Sequence, residues 1–361
     1  NMETSYIFKE FFDRTLYNNN YESRADNRFI NISKRENYIF NASINGIEEA
    51  DLIFLIGTNP RYEATILNAR IRKSYLNNKT KIFSLNDNGD LTYPYESLDG
   101  QTSTIKNIFE GTHDFSKNII NSKKPMIIIG ESFLRLKSAE YLYSKILDFI
   151  KYNNKFSNEW NPVNVLSCDA ASVGNFDLGL INKENNLLNN LKSNKFDIVY
   201  LVGQDNIDFD KKDEFIIYQG SHGDKGAEIA DIILPGAAYT EQDGHYTNLE
   251  GKIQKAYKAS YPPGEAKEDW QIINEIAEIM NNRKLFNDKD ELESSMFNYL
   301  KLQKERETKE TLKESSKEFQ NEKMILDIKP YYFSNIIARC SKTMIECNNS
   351  KLDLKSTGTE G

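Results

Sequence analysis

A repeated unit constrains this chain more than any other feature: a short apolar run, often closed by glycine, followed by a segment with helical periodicity. Leu52–Ile56 runs into Gly57, Met126–Ile129 into Gly130 and Ile198–Val202 into Gly203. Lys81–Leu85, Val163–Leu166, Phe215–Tyr218 and Ile232–Leu234 are further runs of strand length. Between them, Glu63–Tyr75 reads as a helix. So does Ser138–Lys151, where Ala139, Leu142, Tyr143, Ile146 and Ile150 share one face. Strands alternating with helices require crossover connections, hence a mostly parallel sheet covered on both faces.

At 361 residues the chain is long for one domain. The Asn- and Lys-rich stretch Gly174–Lys195 is poor in core-forming residues and separates two alternating blocks. The expected organisation is therefore an α/β domain over 1–190, a second over 191–285 and a charged helical connector and tail over 286–361. Lys267–Met280 reads as a helix with Trp270, Ile273, Ile276 and Ala277 facing inward. Lys301–Lys323 is dense in charge and reads as a solvated connector, whereas Ile325–Ile337 is apolar enough to need cover.

The net charge of -8 argues against a nucleic-acid surface. No apolar run approaches the roughly 18 residues of a membrane span. Cys168, Cys340 and Cys347 are too few for an all-thiolate tetranuclear cluster, which needs about four, and read as reduced thiols. The start at Asn1, without a basic, apolar targeting segment, reads as a processed or trimmed end.

Two segments carry candidate chemistry. Gly57-Thr58-Asn59-Pro60 lies at the C-terminal end of a strand and before a helix, where backbone N–H groups favour anions. The same residues also suit a tight turn with proline at the first helical position. The second begins at Ala230-Asp231-Ile232-Ile233-Leu234-Pro235-Gly236 and continues through Glu241, Gly244, Asn248, Glu250 and Gly251. Its carboxylates and amides can hydrogen-bond a heterocycle or tie two loops together, and the residues leave both readings open. His113, His222 and His245 show no metal-ligand spacing in sequence. His222, within Gly220-Ser221-His222-Gly223-Asp224, fits turn chemistry better than proton transfer. Neither a Gly-x-x-x-x-Gly-Lys nor a Gly-x-Gly-x-x-Gly fingerprint is present.

In combination these segments resemble the molybdopterin oxidoreductase superfamily, which carries a Gly-x-Asn-Pro turn and an Ala-Asp-x-x-Leu-Pro…Glu…Gly…Asn-x-Glu-Gly signature. Within it, Glu48-Glu49-Ala50-Asp51, Asn68-Ala69-Arg70-Ile71-Arg72-Lys73-Ser74, Leu91-Thr92-Tyr93, Tyr218-Gln219-Gly220 and Pro262-Pro263-Gly264 through Trp270 are similar to the large iron–sulphur subunits of respiratory complex I. The resemblance runs from near residue 10 to about 347 and is weakest over 150–195 and 285–325.

It implies two Rossmann-like domains with a helical tail, and a vestigial pterin site at Gly57, Thr58, Asn59, Pro60, Glu241, Gly244, Asn248, Glu250 and Gly251. No cysteine precedes Cys168 to serve as an early metal ligand, and no β-rich closing domain is legible at the C-terminus. The resemblance thus implies no catalytic residue, metal or cofactor on this chain, with iron–sulphur clusters and FMN on partner chains. It further implies a structural role in the peripheral arm, beside a separate or cleaved iron–sulphur N-terminal half. The expected location is the matrix side of the mitochondrial inner membrane, or the cytoplasmic face of a bacterial one, reached only through the complex. The rival expectation is an active molybdopterin-dependent oxidoreductase, and a weaker one a free-standing nucleotide-binding protein.

Overall fold

The computed structural model describes residues 1–157, 159–182, 187–205, 207, 209–307, 318–328 and 331–356. Its elements in order are α1 (Met2–Phe11), β1 (Leu52–Ile56), α2 (Pro60–Glu63), α3 (Thr65–Asn78), β2 (Lys81–Ser84), β3 (Glu96–Ser97), α4 (Thr102–Phe109), α5 (Ser116–Asn121), β4 (Pro125–Gly130), α6 (Glu131–Leu134), α7 (Ala139–Tyr152) and β5 (Val163–Leu166). There follow α8 (Ser172–Asp177), α9 (Leu187–Lys192), β6 (Ile198–Val202), β7 (Phe215–Gly220), α10 (Lys225–Glu228), β8 (Ile232–Pro235), β9 (Gly244–Thr247), β10 (Ile253–Ala256), α11 (Asp269–Asn281), α12 (Lys289–Glu307), α13 (Ile336–Cys340) and α14 (Lys342–Ser356). The expected α/β fold with parallel sheets and a helical C-terminal region is present.

The first sheet is parallel, in the order β3-β2-β1-β4-β5. The chain builds outward from β1 to β3 on one side, then restarts beside β1 with β4 and β5. The seam between β1 and β4 is therefore a topological switch point, where open α/β sheets usually receive ligands. Every residue of β1 is buried because its two faces enter two different cores. Leu52, Phe54 and Ile56 pack with residues of α4, α5 and α7, while Ile53 and Leu55 pack with Leu67 and Ile71 of α3 and with Trp160. The two-residue side-chain period makes a continuous apolar run necessary for a strand covered on both sides.

The second sheet, β6-β7-β8, is also parallel. A third core unites distant parts of the chain, with Met2, Ile7 and Phe11 of α1 against Ile273 and Ala277 of α11 and Met296 and Leu300 of α12. Of the inward face expected for α11, Ile273 and Ala277 are fully buried, and Trp270 and Ile276 pack at its margin.

Three local expectations are corrected. The helix expected over Glu63–Tyr75 is two helices, α2 and α3, meeting at Ala64, which ends α2 with ψ 67. The stretch Gly174–Lys195 is not poor in core residues, since it buries Phe176, Leu178, Leu180, Ile181, Leu188 and Leu191.

The third concerns the tail. Part of the run read as an exposed connector docks on the first sheet's helices: Thr102 N–H donates to the Glu322 carbonyl at 3.0 Å, and Met324 N–H to the Gly100 carbonyl at 2.8 Å. Phe319 packs against Tyr141, and Met324 is buried. Ile325, expected to need cover, is 80% exposed. The docking combines these backbone bonds with bonds from side chains, the Thr102 hydroxyl donating to the Glu322 carbonyl at 3.0 Å and the Ser138 hydroxyl to the Gln320 carbonyl at 3.0 Å. Residues 308–317 of that run lie outside the described residues.

Candidate functional site

The turn after β1 sits on the switch point. Gly57 has φ +65, and a Cβ there would lie 2.4 Å from the Phe133 backbone nitrogen; one on Gly130, at the end of β4, would lie 2.3 Å from the Gly57 carbonyl oxygen. Two glycines thus let the ends of neighbouring strands and α6 close on one another without side chains. Asn59 caps α2, accepting the Arg61 N–H at 3.2 Å, with Pro60 at the first helical position.

The polar groups of this turn are used within the chain. Glu63 Oε2 accepts the Thr58 hydroxyl at 2.5 Å and the Asn59 N–H at 2.8 Å. Asn59 Nδ2 donates to the Asn88 carbonyl at 3.0 Å, and Asn88 Nδ2 donates to the Thr58 carbonyl at 3.2 Å. Thr58, Asn59 and Asn88 are all buried. Burial pushes the Glu63 carboxyl above the ordinary glutamate range, the Glu131 charge adds to the rise, and the Thr58 and Asn59 donors oppose it.

Beside this turn lies an ionic cluster that sequence reading missed. Buried Arg28 pairs with buried Glu131 and lies 3.4 Å from both Asp26 and Asp169. Arg135 pairs with Asp26 at 2.6 Å, Glu131 at 3.0 Å and Asp327 at 3.4 Å. Burial alone would lower the Arg28 pKa, but the charges of Glu131, Asp26 and Asp169 outweigh it and hold the guanidinium protonated. Cys168, an exposed free thiol 3.8 Å from Glu63, has its pKa pushed up by the packing of its sulfur and by the neighbouring carboxylates of Glu131, Glu63 and Asp169. These residues are scattered over more than a hundred positions, and no local spacing announces them.

The second segment is also tied internally. Glu241 accepts the Ala238 N–H at 2.9 Å, closing its own turn. A Cβ on Gly244 would meet Asn1 at 2.5 Å. Asn248 accepts the Lys252 N–H at 2.9 Å. Glu250 accepts the Ile44 N–H at 2.7 Å; that bond and Lys252 outweigh burial and lower its pKa. The Gly251 carbonyl accepts Arg35 Nη2 at 2.6 Å, and Arg35 is held by Asp177 through two bonds of 2.8 Å. Among the described residues, no hydrogen bond or ion pair joins Gly57–Pro60 to Glu241–Gly251. Each segment ties its own neighbourhood, the first at the ends of β1 and β4, the second between the β9–β10 hairpin and the loop before β1.

The histidines part company in space. His113 accepts the Phe115 N–H at 3.1 Å, and His222 Nδ1 lies 2.9 Å from the Ser221 hydroxyl within its turn. His245 is buried against Glu3, a partner 242 residues away in sequence. At the far end of the second sheet, Arg339 of α13 lies 2.9 Å from Asp224 and 3.6 Å from Asp205.

The chain is 38% identical over 340 residues to the NADH-ubiquinone oxidoreductase 75 kDa subunit of Reclinomonas americana, covering 91% of this chain and 49% of that protein. It is 37% identical over 338 residues to the mitochondrial 78 kDa subunit of Neurospora crassa, 89% of this chain and 44% of that one. With an NADH-quinone oxidoreductase subunit of Rickettsia bellii it shares 33% over 362 residues, 99% of this chain and 52% of that one. The chain thus spans about half the length of these curated relatives. No helix among the described residues is long and apolar enough to cross a membrane. The family model for molybdopterin oxidoreductases matches residues 1–279, more than half of the chain, and the protein belongs to that family.

Proposed function

We propose that this chain is a non-catalytic structural part of the peripheral arm of a proton-pumping NADH:ubiquinone oxidoreductase. It holds neighbouring cluster-bearing chains in register while they pass electrons from NADH to quinone. The relatives' names support membership in that complex. The observation that carries the non-catalytic part is the Glu63 carboxylate, which takes the Thr58 and Asn59 donors at the switch point.

The family's pterin dinucleotide does not fit these residues. Its pyrophosphate needs free donors and positive potential at the strand ends. Here the Thr58 hydroxyl and the Asn59 and Arg61 N–H groups are taken, Arg61 is paired with Asp90 at 2.6 Å, and the carboxylates of Glu63, Glu131, Asp26, Asp169 and Asp327 outnumber the guanidiniums of Arg28 and Arg135. Of the second segment, Glu241, Asn248, Glu250 and Gly251 are engaged in backbone ties of their own. On this reading the chain binds no metal for redox chemistry. Iron–sulphur clusters and FMN reside elsewhere in the assembly, which sits on the matrix side of the mitochondrial inner membrane.

Purification of the native assembly tests the proposal. The chain should co-purify with a cysteine-rich, cluster-bearing polypeptide across an interface above roughly 2,000 Å², and Glu241→Gln should leave turnover per intact particle unchanged. Stoichiometric molybdenum or tungsten bound to the chain, or a monomer without such a partner, would overturn it.

A further inference from the structure

One buried polar grouping belongs to neither segment described above. It lies where α1, the β9–β10 hairpin and α12 meet. Glu3, in the first turn of α1, is 0% exposed, and His245 on β9 is buried beside it. Glu293, partly buried on α12, completes the group: one ligating atom from each residue lies within 4.8 Å of the other two.

Its parts are already oriented. The two Glu3 oxygens accept the His245 backbone N–H at 2.8 and 3.1 Å, and Oε1 lies 2.5 Å from the ring Nδ1. Phe297, one turn along α12 from Glu293, stands edge-on to the imidazole at 5.1 Å and shields it. The cation nearest Glu293 is Lys255, the cross-strand partner of His245, at 3.4 Å from both carboxylate oxygens.

We propose that Glu3, His245 and Glu293 form a binding site for a divalent transition-metal ion, zinc above all, that clips α1 to α12 and the hairpin. One imidazole nitrogen, two carboxylate oxygens and a water make a four-coordinate donor set suited to zinc. Two ionised carboxylates and a neutral imidazole carry a charge that a divalent ion cancels. Tetrahedral coordination at about 2.1 Å places donor atoms roughly 3.4 Å apart. The present grouping reaches that spacing when the 2.5 Å contact between Glu3 Oε1 and His245 Nδ1 opens and Glu293 moves in, releasing Lys255 to solvent. The backbone N–H bonds to Glu3 act as the outer layer that fixes a ligating carboxylate. The competing reading is a hydrogen-bonded Glu3–His245 pair that takes no ion.

Titration of the full chain, stripped with a chelator, with zinc and with cobalt(II) distinguishes the two. Zinc should bind at one equivalent and raise the Tm, and cobalt should show the intense visible absorption of a four-coordinate ion. Glu293→Gln and His245→Gln should each weaken zinc binding by about tenfold or more and abolish the Tm shift. Lys255→Ala, outside the ligand set, should tighten binding by removing the competing cation, so the site stays testable if a ligand variant folds poorly. Absence of one-equivalent zinc binding, or binding unchanged in the ligand variants, would overturn the proposal.

Discussion

Glu63 Oε2 receives both the Thr58 hydroxyl, at 2.5 Å, and the Asn59 N–H, at 2.8 Å, so the turn that ends β1 is closed by a carboxylate four residues beyond Asn59. Glu63→Ala leaves both buried donors without an acceptor and should cost about 2–6 kcal/mol, at about 1–3 kcal/mol for each orphaned group. Chemical denaturation of the two proteins measures the difference. A change below about 1 kcal/mol would show that water replaces the carboxylate freely.

The same group has a pH signature. Burial raises the Glu63 pKa, so between the unfolded value, about 4.3, and the folded one the native state holds a proton that the unfolded state has released. Stability from this group therefore falls as pH rises through that window and is flat above it. Glu63→Gln should remove this slope, seen as wild-type stability declining relative to the variant just above the ordinary glutamate pKa. The opposite slope would contradict the assignment.

Asp51 behaves in the reverse sense. It accepts the Ser122 hydroxyl and the N–H groups of Lys123 at 2.7 Å and Lys124 at 3.0 Å, and these bonds outweigh partial burial and lower its pKa. Its contribution is complete above the ordinary aspartate value of about 3.9 and disappears as pH falls through the lowered folded pKa. Asp51→Asn should cost about 1 kcal/mol at neutral pH, modest because the site is exposed to solvent, and nothing in strong acid. Paired stability curves at the two pH values check both halves.

Gly57 and Gly89 share φ +65 but not surroundings. A Cβ on Gly57 meets the Phe133 backbone, whereas one on Gly89 meets nothing within 4 Å. Gly89→Ala should cost only the left-handed backbone penalty, about 1–2 kcal/mol. Gly57→Ala adds a backbone clash and should cost about 3 kcal/mol or more. Equal losses in thermal melts would mean that the approach of α6 to the turn is not constrained.

Arg339 tests the attachment of the C-terminal helices. Its guanidinium contacts Asp224 and Asp205, and Tyr218 donates to Asp205 at 2.6 Å from the second sheet. Arg339→Gln should speed hydrogen exchange in Ile336–Cys340 while changing global stability by about 1 kcal/mol or less, since the ions are partly solvated. Unchanged exchange there would show that packing alone holds this helix.

What the sequence alone determined was the part of the fold written in local periodicity. Leu52–Ile56 and Met126–Ile129 had to be two-sided parallel strands, because a run without polar alternation has no face to give to water. Gly57 was legible as a turn, and the motifs around it and around Glu241 were legible as a family signature. What those polar residues contact was not. That Glu63 fills the Gly57–Pro60 turn, that Arg28 meets Glu131, and that Glu3 meets His245 across 242 positions are decisions of the tertiary fold. Periodicity says which face of an element is buried but not which distant element covers it. A carboxylate's role, whether capping a turn, pairing with an arginine or facing a histidine, depends on the donor that covering element brings. The docking of residues 318–324 was hidden for the same reason: the hydroxyls of Thr102 and Ser138 meet partners 220 and 182 positions away, and the backbone bonds reach as far.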